Sequence, residues 1–553
     1  MSNYAIGLDF GTNSVRAVVA NTATGAESGS AVFDYPHGEM GVILDPKDPH
    51  LARQHPADYL SGIERVVSAA IEQSGPETGR HVVGIGVCAT GSTPVPIDAS
   101  GKALALDPRF AKNPNAMAWL WKDHTAHEEA MEITAAAKKD HPEYLAKCGG
   151  VYSSEWFWAK LLKCARIDPA VFDAAATWVE LADWIPAVLT GTTAPSRLRR
   201  GICAAGHKAM FNPQWGGYPD ETFIASFDEG VLSGIRAGLP DVALNVSESV
   251  GTLTPEWAKK LGLPPGIPVA TGAFDCHLGA IACGIRPGTM VKVIGTSTCD
   301  LAVQPIQEGL GDVPGVCGVV PESVLPGHYG IEAGQSAVGD VFNWYVLKLR
   351  PGAGMDHAAL NLEAAKLTPG ESGLLALDWH NGNRTILIDQ RLSGMVMGLT
   401  LHTSPAELFR ALIEATAFGA RMIRDRMVEY GIRIDRVVNC GGISLKSPLL
   451  MQIYADVFDC PMRIAAGEQT CALGSAIAGT VAAGLFPDFA DAMDAMTGLR
   501  ETRYDPIPEN VKIYDRLFAL YRRLHDLFGT KTYAENQFDV MKQLAAIREE
   551  RRG

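Results

Sequence analysis

AIGLDFGTNSVRAVVA, residues 5–20, decides how the rest of this chain is read. The apolar run from Tyr4 to Leu8 is too short for a typical helix and is bounded by Gly and Asp, which favours a buried strand. Gly11 suits a tight turn at positive φ. Thr12, Asn13 and Ser14 place hydroxyl and amide groups beside exposed backbone N–H groups, the ingredients of an anion-binding nest. Arg16 to Ala20 reads as the returning strand. Alone this is a hairpin with a polar turn. A looser second copy gives it weight: PVATGAFD (268–275) runs into a small-residue stretch, and MVKVIGTST (290–298) again breaks an apolar strand into a Gly/Thr/Ser turn. Two such modules facing each other imply a phosphate clamp between two lobes.

Outward from these modules the pattern is α/β. HVVGIGVC (81–88) reads as a buried strand, and Pro56 to Gln73 carries apolar residues at helical spacing. From about 108 to 247 the chain is richer in Trp, Lys and helical periodicity and reads as an inserted cap carrying specificity. LPPGIP (263–268) is the best linker candidate, dividing a first domain (1–265) from a second (266–553). In the second, RVVNC (436–440) breaks at Gly441 and Gly442. A helix with an apolar face then follows from Ser447, with Pro448 in its first turn, and Met462 to Ala465 is a short strand. Tyr514 to Gly553 is helical in pattern and ends in a charged, solvated run.

Composition narrows the function. With 553 residues, 47% of them hydrophobic, the chain can build two or more substantial cores. A net charge of -14 argues against nucleic acid as a partner, because backbone affinity needs clustered basic residues. The first strand starts so close to Met1 that no signal peptide fits before it, which points to the cytoplasm. Eleven cysteines without a C-x-x-C pair read as reduced thiols rather than a disulfide framework or zinc site. QTCALGSAIAGTVAAGLFP (469–487) is uncharged, but its Gly/Ala/Ser/Thr content suits a closely packed helix better than a membrane span. There is no P-loop and no strand leading through G-x-G-x-x-G into a helix. His124 and His127, at i and i+3, lack further ligands and read as a solvated helix face.

LDFGTNSVR (8–16), the Asp275 region, GTST (295–298), GGISLKSPLLMQIYADVF (441–458) and CALGSAIAG (471–479) together resemble the FGGY carbohydrate kinase family. The match runs in order through nearly the whole chain. The resemblance implies the two-lobed actin/hexokinase/Hsp70-like ATPase fold, built from duplicated ribonuclease H-like domains. LWKDHTA (120–126), SSEW (153–156), AGHK (205–208) and GIEAGQ (330–335) resemble the bacterial L-ribulokinase branch. That branch implies transfer of the ATP γ-phosphoryl group to the terminal hydroxyl of L-ribulose, giving the 5-phosphate, as in L-arabinose catabolism. Another pentulose or pentitol (D-ribulose, xylulose, ribitol) stays open as acceptor, as does a sugar-responsive ATPase switch; so does a homodimer.

By the same resemblance Asp275 is the catalytic base, and Asp9 and Asp275 hold Mg²⁺, a hard ion suited to carboxylate oxygens. Read from the chain alone, Asp275 also fits a helix N-cap. Gly11, Thr12, Asn13, Ser14 and Arg16 on one side, and Gly295 and Thr296 on the other, are the expected phosphate contacts. Gly339, Asn343, Gly441 and Gly442 are expected around the nucleotide. Ser92, Thr93, Trp121, Lys208, Asp275 and Glu332 are the expected sugar contacts. Asn13 and the Cys88-Ala89 pair depart from the family pattern, which leaves fine substrate preference open.

Overall fold

A computed structural model describes residues 2–75, 77–228 and 230–552. Strands Tyr4–Phe10 and Ser14–Asn21 form the expected antiparallel hairpin, with Asp9 opposite Arg16. Strand Glu27–Asp34 extends it on one side. Helix Pro56–Ser74 then carries the chain back to strand Val82–Ala89, which pairs in parallel with Tyr4–Phe10 and brings Cys88 beside Asp9. Strands Pro268–Ala270, Ala273–Phe274 and Ser249–Thr252 complete this sheet. The Leu263 to Pro268 segment therefore joins helix Pro255–Leu261 to a strand of the same first sheet. The chain passes to the second sheet only after helix Asp275–Ala282.

The second sheet repeats the plan. Strands Gly288–Ile294 and Thr298–Pro305 form a hairpin, His328–Ala333 extends it, and Ile434–Cys440 and Met462–Ala465 add in parallel beside the first strand. Helix Pro405–Glu429 makes the crossover. Its start is set by a reciprocal capping box between Ser404 and Glu407, with Pro405 in the first turn. Helix Pro448–Phe458 begins where its proline suggested, with the Ser447 hydroxyl accepting from the Leu450 N–H at 3.2 Å. The helical C-terminal pattern resolves into two helices, Pro508–Gly529 and Val540–Arg552. This duplicated topology is the two-lobed fold that the family resemblance implied.

The uncharged segment becomes helix Thr470–Ala482, wedged between the lobes. Its lack of side-chain bulk has a specific cause. A Cβ on Gly7 would lie 1.7 Å from the Ala472 carbonyl oxygen, and one on Gly474 would lie 1.7 Å from that of Leu278. Backbone meets backbone at this junction, so only glycine fits. Among the described residues no helix is long and apolar enough to cross a membrane. Between 104 and 239 the chain builds its own aromatic core around Trp119, Trp158 and Trp178, a cap that also touches Val320 of the second lobe. All eleven cysteines are free, and all but Cys299 and Cys471 are buried.

Candidate active site

The two hairpin turns and the cap enclose a cavity of about 920 Å³. Of the residues expected at the site, Thr12, Trp121, Lys208, Asp275, Gly295, Thr296 and Glu332 line it, drawn from both lobes and the cap. In the first turn the Gly11 N–H donates to Ser14 O at 2.9 Å, and in the second the Gly295 N–H donates to Ser297 O at 2.9 Å. Each turn is thus closed by its glycine N–H, onto the third residue along in the first and the second residue along in the second. Contrary to expectation Gly11 does not adopt positive φ; the short Gly11 to Ser14 bond closes the turn without it. The Trp121 indole N–H donates to Thr12 Oγ1 at 3.0 Å, tying the sugar-side aromatic to the phosphate turn. Asn13, at a position departing from the family pattern, spends its amide on the Met40 carbonyl (2.5 Å).

Asp275 is the first residue of its helix rather than the N-cap, which is Phe274. Its Oδ1 accepts from the Cys276 N–H at 2.7 Å. Burial, and then the nearby Asp9 carboxylate, push its acid up to about 7, against the pull of that N–H. Asp9 is 5% exposed. Burial raises its acid too, opposed by Arg16, whose guanidinium donates to Asp9 Oδ2 at 3.3 Å. The Cys88 thiol donates to the other Asp9 oxygen at 3.5 Å, so this departure from the family pattern still serves Asp9. The Asp9 and Asp275 carboxylates offer hard oxygen donors of the kind a divalent cation takes, and the Asp9 charge is among the causes that raise the Asp275 acid.

On the opposite wall, Lys208 Nζ donates to Glu332 Oε1 at 3.0 Å, both residues being buried. Burial would raise the Glu332 acid, but Lys208 and then the neighbouring imidazoles override this and hold it well below the usual carboxylate range. His207 Nδ1 lies 3.4 Å and His277 Nε2 3.5 Å from Glu332 Oε2. Burial pushes His207 well below its ordinary value and His277 down to about 4, so both are neutral at pH 7 and Lys208 is the charge that matters. Sequence reasoning named His207 only within a motif and His277 not at all. The closest signal is position: His207 precedes Lys208, and His277 follows Asp275 by two residues.

Ser92 and Thr93 do not reach the cavity. Both are fully buried: the Ser92 hydroxyl donates to Glu180, and the Thr93 N–H donates to Glu180 Oε2 at 2.7 Å. Lys160 holds this loop from below, donating to the carbonyls of Ser92 (2.8 Å) and Leu120 (2.9 Å). Thr90 and Gly91 line the cavity instead. Gly339, Asn343, Gly441 and Gly442 also lie off the cavity wall. Gly339 N–H donates to Gly295 O at 3.1 Å, and Gly441, at φ 90°, packs on the Ile294 backbone; these two glycines support the second turn from behind. Gly442 faces open space, and Asn343 contacts His357 at 3.0 Å. Ser14 is buried at the start of its strand. His124 contacts Ser154 at 3.2 Å, while His127 lines the cavity beside the cap.

Comparison with known proteins agrees with this geometry. Residues 4–282 match the model of the N-terminal domain, and residues 290–483 that of the C-terminal domain, of the FGGY family of carbohydrate kinases. The chain is 42% identical to a ribulokinase of Vibrio parahaemolyticus, covering 94% of this chain and 95% of the relative. It is 40% identical to a ribulokinase of Shouchella clausii, covering 100% and 99%. The xylulose kinase of Rhodospirillum rubrum has a similar structure (TM-score 0.75, 26% identity, 95% of this chain and 100% of that one). Plasmodium falciparum glycerol kinase with ADP shares the fold (TM-score 0.76, 16% identity, 94% and 98%). Two strand-turn hairpins facing across one cavity, with family matches on both halves, lead to one conclusion: this chain belongs to the FGGY family of carbohydrate kinases.

Proposed function

We propose that this carbohydrate kinase is an ATP-dependent ribulokinase that phosphorylates the terminal hydroxyl of L-ribulose. The observation that carries the reading is the placing of the Asp275 carboxylate in one cavity with the Lys208 and Glu332 pair and the Gly295 to Ser297 turn. Full-length similarity to ribulokinases supports the choice of sugar. Asp275 accepts the proton of the attacking hydroxyl; an acid near neutrality suits that task, because it is half ionised at working pH and still basic. Lys208 donates to, and Glu332 accepts from, sugar hydroxyls, while Trp121 offers a ring face. Thr12, Arg16 and the Gly295 to Ser297 backbone orient the phosphates. Asp9 and Asp275 would hold Mg²⁺, which when bound screens phosphate charge. In this reading the sugar lies between the first lobe with its cap and Glu332 of the second lobe, the phosphates lie between the two hairpin turns, and closure of the lobes excludes water.

The test is ADP release with Mg²⁺ and ATP across L-ribulose, D-ribulose, L- and D-xylulose, ribitol, glycerol and a no-sugar control. Preference for L-ribulose by kcat/KM is expected. Preference for another polyol would reassign the substrate, and release that ignores the sugar would make the protein an ATPase switch.

A further inference from the structure

Arg384 is an arginine in the cavity for which sequence reasoning found no role. It comes from the second lobe and shares the cavity with Glu332, Cys299 and Cys317. Its side chain is 21% exposed, and its nearest carboxylate, Glu155 Oε1 of the cap, lies 4.0 Å away, beyond hydrogen-bond reach. A guanidinium presents five N–H donors in a fixed fork, and those of Arg384 open onto the cavity, making no hydrogen bond to another described residue. The loop that carries it is held with unusual care. Asn383 and Asp389 exchange backbone hydrogen bonds of 2.9 and 3.0 Å, closing the loop on itself. Thr385 Oγ1 donates to Gly334 O at 2.8 Å and accepts from Gly334 N–H at 2.9 Å, and Ile386 N–H donates to Gly315 O at 2.8 Å. Ile386 and Ile388 sit at φ 88° and 50°, a region β-branched residues rarely adopt. Strain of this kind persists where the surrounding structure over-determines it and clusters at ligand-binding positions. Ile388 also packs on Gly149, so the loop bridges the second lobe to the cap.

We propose that Arg384 is a sugar-binding, specificity-determining residue supplied by the second lobe, donating N–H hydrogen bonds to acceptor oxygens of an uncharged ketose. The hydrogen bonding around it indicates the ligand class. Lys208 is already hydrogen-bonded to Glu332, whereas Arg384 has no carboxylate of the described residues within hydrogen-bond distance, so its N–H fork can serve the carbonyl and hydroxyl oxygens of a neutral polyol. Since Lys208 comes from the cap on the first lobe, a sugar held by both cations spans the cleft, making lobe closure depend on the sugar. This inference rests on the ribulokinase reading for the identity of the sugar alone.

The experiment compares wild type, Arg384→Met, Arg384→Lys and Glu155→Gln by steady-state kinetics on the same sugar panel, with thermal melting to check folding. Wild type decides the substrate, and the variants are then read on whichever sugar it prefers. Arg384→Met should raise the sugar KM about 10- to 100-fold, as expected for losing a hydrogen bond from a charged donor. The KM for ATP should stay unchanged, Arg384→Lys should fall between, and Glu155→Gln should leave the sugar KM near wild type. An unchanged sugar KM in Arg384→Met would overturn the assignment. So would Glu155→Gln reproducing its effect, since Arg384 would then act only through the cap ion pair. If Arg384→Met fails to fold, Arg384→Lys decides: it keeps the charge but loses the planar fork, and a wild-type sugar KM there refutes the proposal.

Discussion

Replacing Lys208 with methionine keeps an aliphatic stem but removes the ammonium 3.0 Å from Glu332 Oε1. Glu332 is 7% exposed, so its carboxylate is largely shielded from bulk water once the ammonium is gone. The remaining close groups, His207 Nδ1 at 3.4 Å and His277 Nε2 at 3.5 Å, belong to imidazoles that burial keeps neutral at pH 7. Breaking one side of a buried ion pair costs about 3–5 kcal/mol, mostly from the charge left behind. Lys208→Met combined with Glu332→Gln leaves no unpaired charge and should cost less than the two singles summed, by about 2 kcal/mol. Titration supplies a second readout. In the wild type the Glu332 acid is held below its ordinary 4.5, so the pair's contribution is present above that pH and is lost as pH falls through the lower folded value. In Lys208→Met burial is no longer overridden and the folded acid moves above its unfolded value. The variant's deficit is then largest at neutral pH and shrinks as pH falls toward 5. Urea unfolding of all four proteins by tryptophan fluorescence, at pH 7 and pH 5, measures both effects. Additive single costs, or a deficit independent of pH, would refute the reasoning.

Asp275→Asn should lower turnover about 10²- to 10⁴-fold while calorimetry still detects sugar and nucleotide binding; normal turnover would remove Asp275 as the base. With its acid at about 7, the ionised fraction of Asp275 rises from about one tenth at pH 6 to about nine tenths at pH 8. The sugar kcat/KM, which reports the free enzyme, should therefore climb about tenfold over that range, and a flat profile would contradict the assignment. Gly7→Ala forces a Cβ to within 1.7 Å of the Ala472 carbonyl oxygen and should destabilise by at least about 1–3 kcal/mol, whereas Gly234→Ala, with open space around its Cβ, should be near neutral. Equal melting temperatures for these two variants would show that the lobe junction yields.

Local chemistry alone made the two hairpins legible. A short apolar run that breaks into Gly11 to Ser14, and another that breaks into Gly295, Thr296 and Ser297, need no distant partner to be recognised. Helix Pro448–Phe458 and strand Met462–Ala465 were legible for the same reason: a first-turn proline and an apolar stripe act within a few residues. The tertiary structure decided what each polar group does with its hydrogen bonds. Ser92 and Thr93 carry the right chemistry for a sugar, but Glu180, far along the chain, takes their donors and holds them beneath the floor. Gly7 has no visible purpose in the strand pattern until Ala472 arrives against it from the other lobe. Arg384 is one arginine among many until Gly334 and Gly315 clamp its loop into the cavity. Turn and helix signals rest on neighbouring residues, whereas burial, pairing of charges and close backbone approach depend on groups that only the folded chain brings together.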